Sequence, residues 1–284
     1  SFNKTSEALR ASTQGTSNIL PPFFYRTFYE TSITLSSRVS KDTHVKHRER
    51  QKLKIRKGNA FQAVGNVDFR RELTKPRIER HLVWNKKRDP SSFISVFNDL
   101  DPAQRRADFH YSIGQRIGHR VSVAEISTAD LVPATVSGIC ETTWKVFTKV
   151  TPGESLKSTV TTLPADLPVW VSARLKPADG SSITIDEFEA ADAELWLSIT
   201  ELRMSNLKDQ PHGHDRRRML FADGHDYEWL ALGRIPESRI KRIMPWDGQI
   251  LHKTPGVETI YSKFSAEPWI YDRDIESWRL DPEL

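Results

Sequence analysis

The chain has 284 residues, enough for one large domain or two small ones, and 37% hydrophobic content with 8 Trp and 13 Phe supports a packed core. No run approaches the roughly 20 apolar residues of a membrane span, so the composition excludes a helical membrane protein and fits a soluble globular one. The formal net charge is +5, but residues 38–88 carry 17 Lys and Arg against 5 Asp and Glu, a local +12 that leaves −7 for the remainder. Such a block fits nucleic acid or an acidic macromolecular assembly, with Lys52, Lys54, Arg56 and Lys57 at its densest point. It equally fits a solvated insertion that binds nothing. The single Cys140 leaves no internal disulfide and points to an intracellular, reducing compartment. Because Ser1 replaces an initiator Met, an organellar address stays open.

Residues 1–20 are rich in Ser, Thr, Asn and Gln and read as a flexible leader. "PPFFYRTF" then predicts a first strand at 23–28, because two prolines block a helix and four aromatics favour extended backbone. Residues 36–80 have the character of a basic insertion, most clearly the charged run 36–58. "FISVF" at 93–97 predicts a second strand. "DLDPAQRRADFHYSIG" predicts a helix with Asp101 as its N-cap and Pro102 at the first helical position. "HRVSVAEI" (119–126) alternates as a strand, and the Thr- and Pro-rich stretch 133–168 reads as an irregular insertion. "PVWVSARL" (168–175) predicts another strand. The run from Ser181 to Leu207 carries helical spacing through Leu195, Ile199 and Leu202 after an acidic first turn. "PESRIKRIMPW" fits a short helix or a turn into a strand, and 248–284 is a polar tail whose Trp269 and Trp278 dock on the body. This order, without regular βα alternation, predicts one α+β domain at 21–247 with short strands and large insertions.

The stretch "HDYEWLALGRIP" (225–236) raises a chemical question, since Asp226 and Glu228 precede an apolar strand. Residues two apart in a strand share a face, so the two carboxylates are expected to project together, with Leu230 and Leu232 beyond them. On a buried face two like charges require compensation by a ligand or cation; a solvated strand end is the other reading. "HVKH" (His44, His47) and "HGHD" (His212, His214, Asp215) contain metal-ligand types, but no Cys or further clustered ligand accompanies either to support a zinc site, and no metal is expected.

Three separated pieces resemble ADP-ribosyltransferase-fold proteins: "FFYRTF", "SSFISVFNDLDPAQRRA" and "DYEWLALGRIPESRI". The last is similar to the branch containing the cholera and heat-labile enterotoxin A chains. With "RHLVWN" and "PSSFIS", the set also resembles a fungal domain family of uncharacterised function. The resemblance implies a split β-sandwich with flanking helices, NAD as substrate, and transfer of ADP-ribose to a protein or other macromolecular acceptor, or NAD hydrolysis. It implies Arg26 as the phosphate clamp, Ser95 as the leading serine, Glu228 as the catalytic carboxylate, Asp226 as the group that steers or deprotonates the acceptor, and His81 near the ribose. The family's Ser-Thr-Ser here reads Ser95-Val96-Phe97, in which Phe97 could stack on nicotinamide, and Asp226 stands one methylene short of the usual glutamate. Those departures imply an alternative: a catalytically impaired module that binds RNA or an assembly through its basic segment. Singly, Arg26 also fits a surface or salt-bridge residue, Ser95 a backbone-bonded hydroxyl and His81 a core histidine.

Overall fold

A computed structural model of the chain describes residues 20–29, 60–63, 67–82, 91–113, 120–148, 157–204 and 225–282. Its elements in chain order are β1 (Phe23–Tyr29), α1 (Phe69–Glu72), α2 (Lys75–Leu82), β2 (Phe93–Phe97), α3 (Leu100–Ile113), β3 (Val121–Ser127), β4 (Leu131–Thr148) and β5 (Lys157–Ser172). There follow α4 (Ile185–Ala190), β6 (Leu195–Ser198), α5 (Ile199–Met204), β7 (Glu228–Leu232), β8 (Ile240–Trp246), β9 (Ile260–Tyr261), β10 (Trp269–Asp272) and β11 (Ser277–Leu280). The class is α+β: an eight-stranded sheet in the order β4-β5-β6-β7-β2-β1-β3-β8, with β11-β10-β9 as a separate small sheet. All pairings between these strands are antiparallel.

One seam of the large sheet is nearly unpaired. β1 runs in register with β3 from Phe23–Ser127 to Tyr29–Val121, and β2 with β7 from Phe93–Leu232 to Phe97–Glu228. Between β1 and β2 the register holds only at Tyr25–Phe97. The sheet therefore parts where β1 continues past Tyr25, and its two halves are held there by side chains.

Alternation along the strands divides the core. Phe93, Leu230 and Leu232 pack with Leu73, Ile78 and Leu82 of α1, α2 and the turn between them. On the other face Phe24, Ile94, Val96, Trp170, Trp196 and Trp229 form one apolar cluster. Phe24 lies between two indoles, its ring centre 5.1 Å from Trp196 and 4.7 Å from Trp229. β7 ends at Gly233, where φ is +80° and a Cβ would lie 2.9 Å from Val67 Cγ2. The small sheet docks through Trp278, whose Nε1 donates to the Val121 carbonyl at 3.2 Å.

Several expectations change. The helical spacing read across 181–207 is broken by β6, because Leu195, Trp196, Leu197 and Ser198 are all buried. A strand covered on both faces reads as an apolar run that periodicity alone does not separate from a helix. The backbone also turns at Asp192, where φ is +42°. The irregular insertion expected at 133–168 is a long hairpin, β4 with β5, registered from Leu131–Ser172 to Thr148–Lys157 with one irregularity between Val136 and Cys140. Its prolines mislead: Pro133 and Pro168 sit within the strands, opposite Trp170 and Thr135. The basic insertion expected over 36–80 is not all peripheral, since α1 and α2 fill the core and bury an ion pair, Arg77 Nη2 to Glu72 Oε1 at 2.6 Å. The acceptor at the start of α3 is Asp99, whose Oδ1 takes the Asp101 N–H at 2.8 Å, rather than Asp101 itself. No described helix is long and apolar enough to cross a membrane.

Trp196 is fully buried and joins the indole cluster that backs β2 and β7. Trp196→Ala is expected to lower unfolding free energy by about 3–5 kcal/mol, through lost burial plus a residual cavity. The shift of the urea midpoint at unchanged slope measures it.

Candidate functional site

β2 and β7 set the site by register. Ser95 lies opposite Leu230 and Phe97 opposite Glu228, so Ser95 and Glu228 occupy diagonal positions on one face of neighbouring strands. His81, near the end of α2, comes down onto that face. Its Nε2 lies 2.9 Å from Ser95 Oγ and its Nδ1 2.5 Å from Ser91 Oγ. α2 is anchored for this purpose by Glu72, which takes Arg77 through Oε1 and the Ser92 backbone N–H through Oε2 at 3.1 Å. The same strand that carries Ser95 is thus tied to the helix that carries His81.

Arg26 enters from β1. Its residue exposure is only 5%, its Nη1 donates to the Ser95 carbonyl at 2.7 Å and its Nε to the Ala60 carbonyl at 2.8 Å. A buried guanidinium needs such acceptors. The Ser95 bond bridges the opening between β1 and β2, and the Ala60 bond ties in the segment 60–63. Arg26 is also close enough to both His81 and His110 to disfavour their charged forms.

Glu228 is the first residue of β7, and its side chain is 12% exposed. Its Oε2 bonds His225 Nδ1 within a turn closed by Glu228 N–H to the His225 carbonyl at 3.0 Å. Burial alone would raise the Glu228 carboxyl. The His225 hydrogen bond, the nearby His81 and the Ser95 hydroxyl outweigh it and hold the pKa below the ordinary value, so the group is ionised near neutrality. Burial pushes His81 down to about 4, with Arg26, His225 and Arg77 acting in the same sense and Glu228 against. His81 is therefore a neutral ring flanked by two serine hydroxyls that can match either tautomer.

The expected carboxylate pair is not a pair. β7 begins at Glu228, and Asp226 sits in the turn before it, its side chain 60% exposed and ion-paired with Arg203 of α5. The Asp226 carbonyl also accepts from Thr200 Oγ1 at 3.0 Å. The two-residue periodicity of a strand does not extend into this turn, so Asp226 points to α5 and Glu228 into the cluster. Phe97 stands opposite Glu228 but packs, half-buried, with Tyr25 and Leu100 against α3. Lys52, Lys54, Arg56 and Lys57, like His44, His47, His212, His214 and Asp215, lie outside the described residues. Among the described residues no group of three or more His, Cys, Asp or Glu could hold a metal ion.

Two members of the cluster were not singled out by sequence. His225 had a signal, its position three residues before Glu228, which a turn brings together. Ser91 had none beyond a place just ahead of β2. The connected set Ser91, His81, Ser95, Glu228 and His225, with Arg26 on the Ser95 carbonyl, offers a buried carboxylate held by imidazole and hydroxyl groups. Such a group can take a ligand hydroxyl and stabilise adjacent positive charge.

Residues 19–145 match a domain of unknown function (DUF7587). That span contains Arg26, His81, Ser91, Ser95 and Phe97, whereas His225 and Glu228 lie beyond it. No curated protein and no solved structure matches the chain.

A neutral buried imidazole has a measurable consequence. Because the folded pKa of His81 lies below the unfolded value of about 6.5, its contribution is complete above that pH and is lost as pH falls towards about 4. His110 is shifted down to about 4 as well, chiefly by burial and then by Arg106 and Arg26, and adds a loss in the same window. His81→Gln is expected to remove part of this acid-side decline in Tm and leave the rest to His110; identical Tm profiles from pH 7 to pH 4 in both proteins would contradict the assignment.

Proposed function

We propose that the cluster around Glu228 is the active site of a mono-ADP-ribosyltransferase-type enzyme that takes NAD as substrate. The observation that carries this reading is the meeting of Arg26, His81, Ser95 and Glu228, from separate segments, in one connected network. In such a reaction the bond between the ribose anomeric carbon and the nicotinamide nitrogen breaks, and its electron pair leaves with nicotinamide. The anomeric carbon becomes cationic, and an acceptor oxygen or nitrogen bonds to it and gives up its proton. Glu228 supplies the fixed negative charge beside that carbon and an acceptor for a ribose hydroxyl, as carboxylates do in glycoside chemistry. Ser95 and His81 orient Glu228 and shield it from water. His225 holds the outer carboxylate oxygen.

The fit of the dinucleotide is best at the carboxylate and weakest at the clamp. Both Arg26 bonds given above end on main-chain carbonyls, so binding a pyrophosphate requires exchanging at least one of them. Asp226 is turned to Arg203 and so does not stand beside Glu228 to take the acceptor's proton. That arrangement favours NAD hydrolysis, or an acceptor that brings its own base, over transfer to an unactivated side chain.

A second reading is a non-catalytic module on the same fold that binds RNA through residues 38–88. It is favoured by the local charge of that segment and by Ser95-Val96-Phe97 in place of three hydroxyls. Reversing Lys52, Lys54, Arg56 and Lys57 should then weaken binding severely and, where it is still measurable at low salt, lower the slope of log affinity against log salt by roughly 3, at about 0.7 per released counterion on a single strand. RNA affinity that ignores ionic strength would rule this reading out.

The catalytic reading is tested by nicotinamide release from NAD. Wild type should release it, Glu228→Gln should be slower by at least about 100-fold, as for loss of a preorganised charge, and Asp226→Asn should keep NAD consumption within a few-fold. A wild-type protein that neither binds nor consumes NAD overturns it.

A further inference from the structure

Cleavage of NAD by an incoming hydroxyl or amine releases a proton, and Asp226, His81 and His225 are the side chains beside Glu228, or bonded into its network, of a kind that takes one. Asp226 is turned away to Arg203. His81 has both ring nitrogens committed, Nδ1 to Ser91 Oγ at 2.5 Å and Nε2 to Ser95 Oγ at 2.9 Å. His225 differs. Its Nδ1 bonds Glu228 Oε2, and among the described residues its Nε2 meets no hydrogen-bonding partner.

The carboxylate decides the tautomer. Glu228 is ionised near neutrality and only accepts, so the hydrogen shared by the two groups belongs to His225 Nδ1. A neutral imidazole carries one N–H, which leaves the lone pair on Nε2. The turn holds the ring in place, since the Glu228 N–H closes on the His225 carbonyl at 3.0 Å and sets the two side chains on one bend. Nδ1 and Nε2 flank the same ring carbon and point apart, so pinning Nδ1 on the carboxylate aims Nε2 away from it. The imidazole is also the more open of the two, its side chain 18% exposed against 12% for Glu228. An imidazole oriented by a carboxylate at one nitrogen and uncommitted at the other has the geometry of a general base.

We propose that His225 is the general base of this site, taking through Nε2 the proton of a water that attacks the ribose anomeric carbon. The assignment rests on the NAD reading and makes water the acceptor. The water oxygen bonds to the anomeric carbon, the bond from that carbon to the nicotinamide nitrogen breaks, and its electron pair leaves with nicotinamide. The water's proton passes to Nε2 and from there to solvent, and the products are nicotinamide and ADP-ribose. Glu228 then serves twice, as the fixed charge beside the developing cation and as the counter-charge to the imidazolium that forms.

His225→Asn separates the base from its tie to the carboxylate, because an asparagine amide can still donate to Glu228 but has no basic nitrogen. Its KM for NAD should stay within about threefold of wild type while kcat for nicotinamide release falls about 100-fold, the ordinary worth of a general base. His225→Gln should be slow as well, and a Tm equal to wild type shows that each variant is folded. Azide has no proton to give up, so it should speed nicotinamide release by His225→Asn at least about tenfold, with ADP-ribosyl azide as product, and should leave Glu228→Gln slow. A side chain that merely positioned Glu228 would show no such rescue. Equal kcat for wild type and His225→Asn, or a slow variant that azide leaves slow, overturns the base and leaves the NAD reading standing. A wild type that releases no nicotinamide overturns both.

Discussion

Where β1 and β2 stop pairing after Tyr25 and Phe97, the guanidinium of Arg26 takes over from the backbone. Its bonds to the Ser95 and Ala60 carbonyls are charge-assisted and buried, a class worth about 1.5–3 kcal/mol each and costly to leave unmade. By holding β2 at Ser95, Arg26 also fixes the hydroxyl that meets His81 and Glu228. The cluster is consequently a property of the open seam: strands paired along their whole length would leave neither the gap nor the need for a cation in it. The same cation helps to keep His81 and His110 neutral, so the mechanical tie and the local electrostatics are one interaction.

Much of the arrangement was legible in the sequence, and the exceptions have physical causes. β1, β2 and β7 announced themselves through aromatic and β-branched runs with clear punctuation, and Phe93–Phe97 came out with its predicted limits. Arg26, His81, Ser95 and Glu228 were named through the family resemblance of the motifs that hold them, not through periodicity. Asp226 could not be placed, since two-residue periodicity says nothing about where a strand begins, and the turn at His225 decides it. β6 was hidden because a strand buried on both faces looks like part of a helix. The pairing of β4 with β5 was hidden because it is a long-range fact about two Thr-rich runs, carried by register rather than by local composition.

Charge is organised differently at the two ends of the sheet. Around Glu228 a buried anion has imidazoles and hydroxyls as its partners. Around Arg239 a buried cation is surrounded by anions and carbonyls. Burying an ion is tolerable only when its full hydrogen-bonding capacity is met, and the two sites meet it with opposite signs.

The strand order has a practical corollary for the segment 19–145. That span contains β1, β2 and β3 but ends within β4, while the neighbours of β2 and β3 in the sheet, β7 and β8, arrive more than eighty residues later. Cut out alone, it would present two raw strand margins, and the apolar flanks of Val96 and Val123 beside them, to any extended chain at hand. A truncated expression product would thus be expected to clump, and biochemistry on this segment calls for the C-terminal strands to travel with it.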